Sequence, residues 1–201
     1  MERIEITCAD GVVLQGHFII ANPEQQTPDH TPVLISPATG VKQTFYLRFA
    51  QWLAQRGHDV MVFDYRGIGL SLQGRLSDCD ATLSDWGQQD QVAAIEYLLQ
   101  RTGAEQIVLV GHSAGGQMIG LLPNHHRIQR LVGVAASTGW FKGMRRGFAF
   151  KANLGLNVLM PVAIRFKGYA PTSKRKRQRI TPSQPRLFQA ASAAFAFQGS
   201  S

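Results

Sequence analysis

Short apolar runs and stretches of helical periodicity alternate along the chain. Residues 3–7 and 12–20 alternate apolar and polar side chains, which predicts two antiparallel strands joined by a turn at Asp10-Gly11. Residues 33–36 (Val-Leu-Ile-Ser), 59–63, 107–110 (Ile-Val-Leu-Val) and 130–135 are compact and largely apolar, as strands buried on both faces are. Helical spacing lies between them. Phe45, Phe49, Trp52 and Leu53 recur at helical intervals within 43–56, ahead of Gly57. Ser84 or Asp85 can cap a helix reaching about Arg101, with Trp86, Val92, Ile95, Leu98 and Leu99 on its core face and Gly103 at its end. Residues 117–122 give a further amphipathic helix that stops at Pro123.

Strands alternating with helices at this pitch predict an α/β fold: a mostly parallel sheet with helices on both faces. From residue 137 the pattern changes. Residues 140–169 are rich in Phe, Met, Leu and Gly with scattered Lys and Arg, and read as helical pieces of a cap. Beyond 171 comes a basic run, Lys174-Arg175-Lys176-Arg177-Gln178-Arg179, then a Ser/Gln/Ala/Pro-rich stretch with no core face. The expected organisation is a core over 1–136, a cap- or lid-like segment over 137–170, and a basic, disordered tail over 171–201.

Composition narrows the class. Cys8 and Cys79 lack metal or redox spacing and read as reduced thiols. The charged start, Met1-Glu2-Arg3, reads as a strand rather than a leader, and the longest charge-free apolar stretch, 152–164, is 13 residues long and holds Pro161, too short to span a membrane. The expected location is the cytoplasm. The net charge of +8 conceals an asymmetry. Residues 1–105 carry 7 Lys and Arg against all 13 acids, whereas residues 106–201 carry 14 Lys and Arg and no acid. Such a break needs an explanation.

The chemistry centres on residues 107–116. A buried strand runs into Gly111-His112-Ser113-Ala114-Gly115, a G-x-S-x-G pentapeptide, and then into a helix. Strand, sharp turn and helix are the context in which a serine hydroxyl is lifted clear of a sheet, with flanking glycines where a Cβ would collide with a neighbouring element. The competing reading is a Gly-rich turn with an ordinary capping serine.

Three motifs in order resemble the α/β-hydrolase superfamily, and within it a bacterial branch of predicted serine hydrolases: Pro37-Ala38-Thr39-Gly40, Phe63 to Ser71 (F-D-Y-R-G-x-G-x-S) and Gly111 to Gly116 (G-H-S-x-G-G). A closing Gly168-Tyr169 is similar to a pair near the end of that branch's cap, so the resemblance covers about residues 1–170. It implies that Ser113 is the nucleophile, with the backbone N–H groups of Ala114 and Thr39 as oxyanion donors. For Thr39 the alternative is a plain turn residue. Asp64 would be structural, tying down its loop, and His112 a packed structural histidine. The resemblance implies hydrolysis of an ester, thioester or amide in a small-molecule acyl substrate, of lipophilic character if the apolar cap is a guide. No cofactor and no metal is implied, and oligomeric state is open.

The chain then departs from the pattern. The fold's order is nucleophile, acid, histidine. After Ser113 there is no Asp or Glu, and the only histidines are His125 and His126, at the end of the helix the serine begins. Twelve helical residues span about 18 Å, against the ~3 Å a proton transfer needs. His17, His30 and His58 lie upstream and would invert the order. The expectation is therefore a C-terminally incomplete hydrolase, inactive or weakly active as it stands. Three explanations of the tail stay open: an out-of-frame translation, a genuine short paralogue that binds without catalysing, or a basic anchor for nucleic acid or an anionic surface. The last is the least favoured, because the six positive charges among the last 31 residues form no nucleic-acid motif and no nucleic-acid partner is expected. The alternative to a hydrolase is a non-catalytic binding or scaffold protein.

Overall fold

The computed structural model describes residues 1–26, 30–75, 79–136 and 145–155, with 158 and 162. Two compact units are present, one formed by Met1–Gln73 and Ser84–Ser137, the other by Gly74–Leu83 and Thr138–Ser201. In the second unit the described regular element is α5 (Arg146–Leu154). The tail over 171–201 and most of the cap-like segment lie outside the described residues.

The first unit holds a six-stranded sheet. Its strands are β1 (Glu2–Thr7), β2 (Val13–Ile19), β3 (Val33–Ser36), β4 (Val60–Phe63), β5 (Ile107–His112) and β6 (Ile128–Val134), in the spatial order β1-β2-β4-β3-β5-β6. β1–β2 and β2–β4 are antiparallel, while β4, β3, β5 and β6 run parallel. The α/β class is as the periodicity predicted, with boundaries shifted by a residue or two.

Alternation along the strands sorts the core into two layers. On one face Ile19, Val33, Ile35, Val60, Val62 and Val110 pack with Tyr46, Ala50 and Ala54 of the segment containing α1 (Leu47–Ala54). The alternate residues Leu34, Met61, Phe63 and Leu109 are also buried. They face the side covered by α3 (Val92–Thr102), which brings Ala94, Ile95, Leu98 and Leu99 to the sheet. Helices therefore cover both faces. Among the described residues no helix is long and apolar enough to cross a membrane.

One local feature goes beyond the sequence reading and one corrects it. Phe45, Phe49 and Trp52, whose spacing marked the first helix, point outward and are 71%, 44% and 47% exposed. The buried face is made of Tyr46, Ala50 and Ala54, because alanines let the helix approach β4 and β2 closely. Outside, Phe49 and Trp52 stack and the Arg56 guanidinium lies 3.7 Å over the Trp52 ring. The second concerns the segment after Ser113. Its α-helix is only α4 (Ala114–Gln117), followed by a 3₁₀ segment, Met118–Leu121. Gly115, Gly116 and Gly120 lower helix propensity in this short stretch before Pro123.

The helix before β5 is also less regular than its pattern. A single turn, α2 (Leu83–Asp85), leads into a π-helical stretch, Trp86–Gln91, before α3 begins. This extra winding buries two polar residues side by side, Asp90 and Gln91.

Candidate active site

β3 is followed by β4 on one side and by β5 on the other, so the direction of winding reverses at β3. In open α/β sheets the crevice at such a switch point, at the carboxyl ends of the strands, is where ligands bind. The Pro37–Gly40 turn leaves the end of β3, and Ser113 leaves the end of β5. Ser36 and Gly111 are register partners across that pair of strands.

Ser113 sits between β5 and α4 with φ 50° and ψ −114°, a sparsely populated conformation for a residue with a side chain. Its N–H donates to the carbonyl of Val134 at 2.9 Å, tying the turn to β6. Its own carbonyl accepts the N–H groups of Gly116 and Gln117, each at 3.0 Å, which starts the helix. The surroundings leave no room for other residues beside it. A Cβ at Gly115 would fall within 3.0 Å of the backbone oxygens of Ser36 and Pro37, and one at Gly111 would meet the backbone of Gly115 and Gly116. The glycines expected from the pentapeptide are therefore required by close approach, and the same contact sets the elbow against the start of the β3 turn.

In that turn Val41 N–H donates to Ala38 O at 3.1 Å, and Gly40, at φ 71°, occupies the third position, where glycine is favoured. Among the described residues the N–H groups of Thr39 and Ala114 donate to no acceptor. Thr39 is half-buried and Ala114 buried. An unpaired N–H pair at the end of adjacent strands can receive a developing negative charge. The N–H of Ala38 is not available, because it donates to the Tyr46 hydroxyl at 2.9 Å. That hydroxyl is also 2.9 Å from His112 Nδ1.

Asp64, at the end of β4, has a different occupation. It accepts the backbone N–H of Gln43 at 2.7 Å, Gln43 Nε2 at 2.9 Å and the N–H of Leu70 at 2.9 Å. Its oxygens are filled by the two loops it joins, as the structural reading of Asp64 anticipated. Beneath the elbow, Gln91 Nε2 donates to Gly115 O at 3.1 Å. Beside Gln91, Asp90 Oδ1 accepts from Arg66 Nε at 2.6 Å, Asp90 Oδ2 accepts the Arg66 N–H at 2.9 Å, and Cys8 Sγ lies 3.6 Å from Oδ1. Burial raises the Asp90 carboxyl to about 6, with Arg66 opposing the shift. The same burial, with the Asp90 charge, pushes the Cys8 thiol up to about 12, so it is an un-ionised packing group. The hydrogen bond from Arg66 holds Asp10 below the usual carboxylate range. Sequence reasoning missed Tyr46, Asp90 and Gln91. Tyr46 reads as one more aromatic at helical spacing, and the other two as polar positions on a regular helix.

Among the described residues no hydrogen bond joins the Ser113 hydroxyl to a histidine. The described histidine–carboxylate pair, His30 Nε2 to Asp59 Oδ2 at 3.2 Å, precedes β4 and so lies at the amino end of the parallel strands. His125 and His126 precede β6, whose Ile128 pairs with Ile107 at the start of β5, while Val134 pairs with His112 at its end. A six-residue strand spans about 20 Å, so the separation expected from helix length is supplied by the strand instead. Among the described residues no group of three or more His, Cys, Asp or Glu is placed to hold a metal ion.

The family model described as "alpha/beta hydrolase fold" matches residues 37–155. An uncharacterized protein of Escherichia coli (strain K12), YfhR, is 29% identical over 120 residues, covering 59% of this chain and 40% of that protein. Lipase 3 of Drosophila melanogaster is 28% identical over 170 residues, 74% of this chain and 43% of that protein. The chain thus spans about two fifths of the length of these relatives. Among solved structures, a soluble variant of the Saccharomyces cerevisiae monoglyceride lipase in complex with a substrate analog superposes with a TM-score of 0.64 at 16% identity, over 99% of this chain and 70% of that one, a likeness of fold.

Proposed function

The chain belongs to the alpha/beta hydrolase fold family, and on that premise we propose that Ser113 is the nucleophile of a serine-dependent hydrolysis of an ester, thioester or amide. The observation that carries the reading is the strained Ser113 between β5 and α4, beside a turn whose Thr39 N–H, like that of Ala114, has no acceptor among the described residues. Ser113 Oγ would attack the acyl carbon as its proton passes to solvent water, and the carbonyl oxygen would become an oxyanion held by the N–H groups of Thr39 and Ala114, before water returns the proton to the leaving group. Collapse would expel the leaving group with a proton and leave an acyl ester on Ser113. Water would then add to that ester, release the acid and restore the hydroxyl. No cofactor takes part in these steps.

The substrate we propose is a small acyl compound with a lipophilic group. The apolar composition of residues 140–169 and the similarity to Lipase 3 support this. The 201 residues supply the nucleophile and the oxyanion donors, and after Ser113 they supply no Asp or Glu. The chain by itself therefore hydrolyses weakly. The same inventory supports a second reading, a binding protein that keeps the crevice at the strand ends without turnover. Incubation with a fluorophosphonate followed by peptide mapping separates the two. Slow, site-specific phosphonylation of Ser113 supports the nucleophile; a phosphonate-free Ser113 supports the binding protein.

A further inference from the structure

The buried hydroxyl of Tyr46 contacts a residue close to each half of the proposed oxyanion hole. From the β3 side it accepts the Ala38 N–H at 2.9 Å, one residue before Thr39. From the β5 side it meets Nδ1 of His112 at 2.9 Å, one residue before Ser113 and two before Ala114. A phenol has one proton and can donate once. His112 Nδ1 is the acceptor that lies against that hydroxyl among the described residues, so we assign the proton to it, which leaves the imidazole's own proton on Nε2. Burial raises the Tyr46 pKa, so the phenol keeps its proton across the neutral range. Tyr46 is 7% exposed and belongs to the core cluster over β3, β4 and β5, so the oxygen is held by packing as well as by its partners. The ring also lies edge-on to His112, with centroids 5.9 Å apart.

We infer that Tyr46, acting through His112, is a positioning residue that fixes the separation between the Thr39 and Ala114 N–H groups. The inference rests on the proposed role of Ser113. The Ala38 bond anchors the turn at the residue before the donor, and the His112 bond anchors the elbow strand just before the nucleophile. A single oxygen therefore ties the two sides of the crevice together beyond the Gly115 contact, at residues close to the donors. Without it, both donors remain but their spacing relaxes, and an oxyanion stabiliser displaced by a fraction of an ångström loses its alignment with the developing charge.

The test measures fluorophosphonate labelling of Ser113 in the full chain, resolving limiting rate from half-saturating probe concentration. Tyr46→Phe, which keeps the ring and removes the oxygen, is expected to lower the limiting rate about tenfold with half-saturation little changed, and to lower the melting temperature by a few degrees because the Ala38 N–H loses its acceptor. His112→Leu is expected to match it. His112→Asn, whose Oδ1 can accept where Nδ1 did, is expected to recover most of the rate lost in His112→Leu. Wild-type labelling by Tyr46→Phe overturns the inference and leaves the nucleophile standing. So does a rate loss that tracks the melting temperature and is not recovered by Asn, since that describes a structural residue only. If the wild type labels no more than Ser113→Ala, the nucleophile reading itself fails and the inference goes with it.

Discussion

Arg66 donates from Nε to Asp90 Oδ1 at 2.6 Å, although Asp90 is fully buried and its carboxyl titrates near 6. Burial disfavours the ionised carboxylate more than Arg66 favours it. The folded-state value lies above the reference of 3.8, so between about pH 4 and 6 the folded protein holds a proton that the unfolded chain releases. Stability from this group is greatest at the acid end and is lost as pH rises through that window. Asp90→Asn removes the dependence. Denaturant midpoints of wild type and Asp90→Asn at pH 4, 5 and 6.5 should therefore shift in favour of the variant as pH rises. A difference that is flat, or that moves toward the wild type, would mean that the pair's attraction outweighs the cost of burial.

Gly115→Ala tests the packing that sets the elbow against the β3 turn. The new Cβ would come within 3.0 Å of two backbone oxygens, of Ser36 and Pro37, and neither is the end of a flexible side chain. The expected destabilisation is about 1–3 kcal/mol, the range for overpacking a close contact. Urea unfolding measures it. A change below ~0.5 kcal/mol would show that the backbone shifts freely and that the elbow is not held there.

The outer side of β6 has no strand partner among the described residues, and Leu131, Val132 and Val134 on it are each more than 40% exposed. An exposed apolar edge strand is a template for intermolecular pairing. The purified chain is expected to self-associate with rising concentration, and Val132→Lys to reduce this, as light scattering would record. Equal scattering from the two proteins would remove β6 as the cause.

The positions of the strands and the elbow were legible in the sequence because both rest on local constraints; the order of the strands in the sheet was not. Four apolar runs could only be buried strands, and the glycines at 111 and 115 had to flank a turn too tight for a Cβ. The outward face of α1 was not legible. Phe45, Phe49 and Trp52 have the right spacing for a core, and only the approach to β4 shows that Ala50 and Ala54 take that place. The π-helical turn was hidden for a similar reason. A regular 3.6-residue period spreads Asp90 and Gln91 over a polar face, whereas the wider turn brings both inside, one to Arg66 and Cys8, the other to Gly115. The Tyr46 bridge joins residues 8 and 66 positions away in sequence, which no periodicity encodes.

The proposed site puts a nucleophile, Ser113, and its oxyanion donors in these 201 residues with no Asp or Glu after the serine. Turnover of p-nitrophenyl esters by the purified chain, beside Ser113→Ala, tests it most directly. Oxyanion stabilisation and binding without the proton acceptor leave about 10³–10⁴ over the uncatalysed reaction, far below an intact triad. The expected rate lies within that residual range. An ordinary enzymatic rate that is abolished in Ser113→Ala would contradict it, because a base for Ser113 would then lie within this chain.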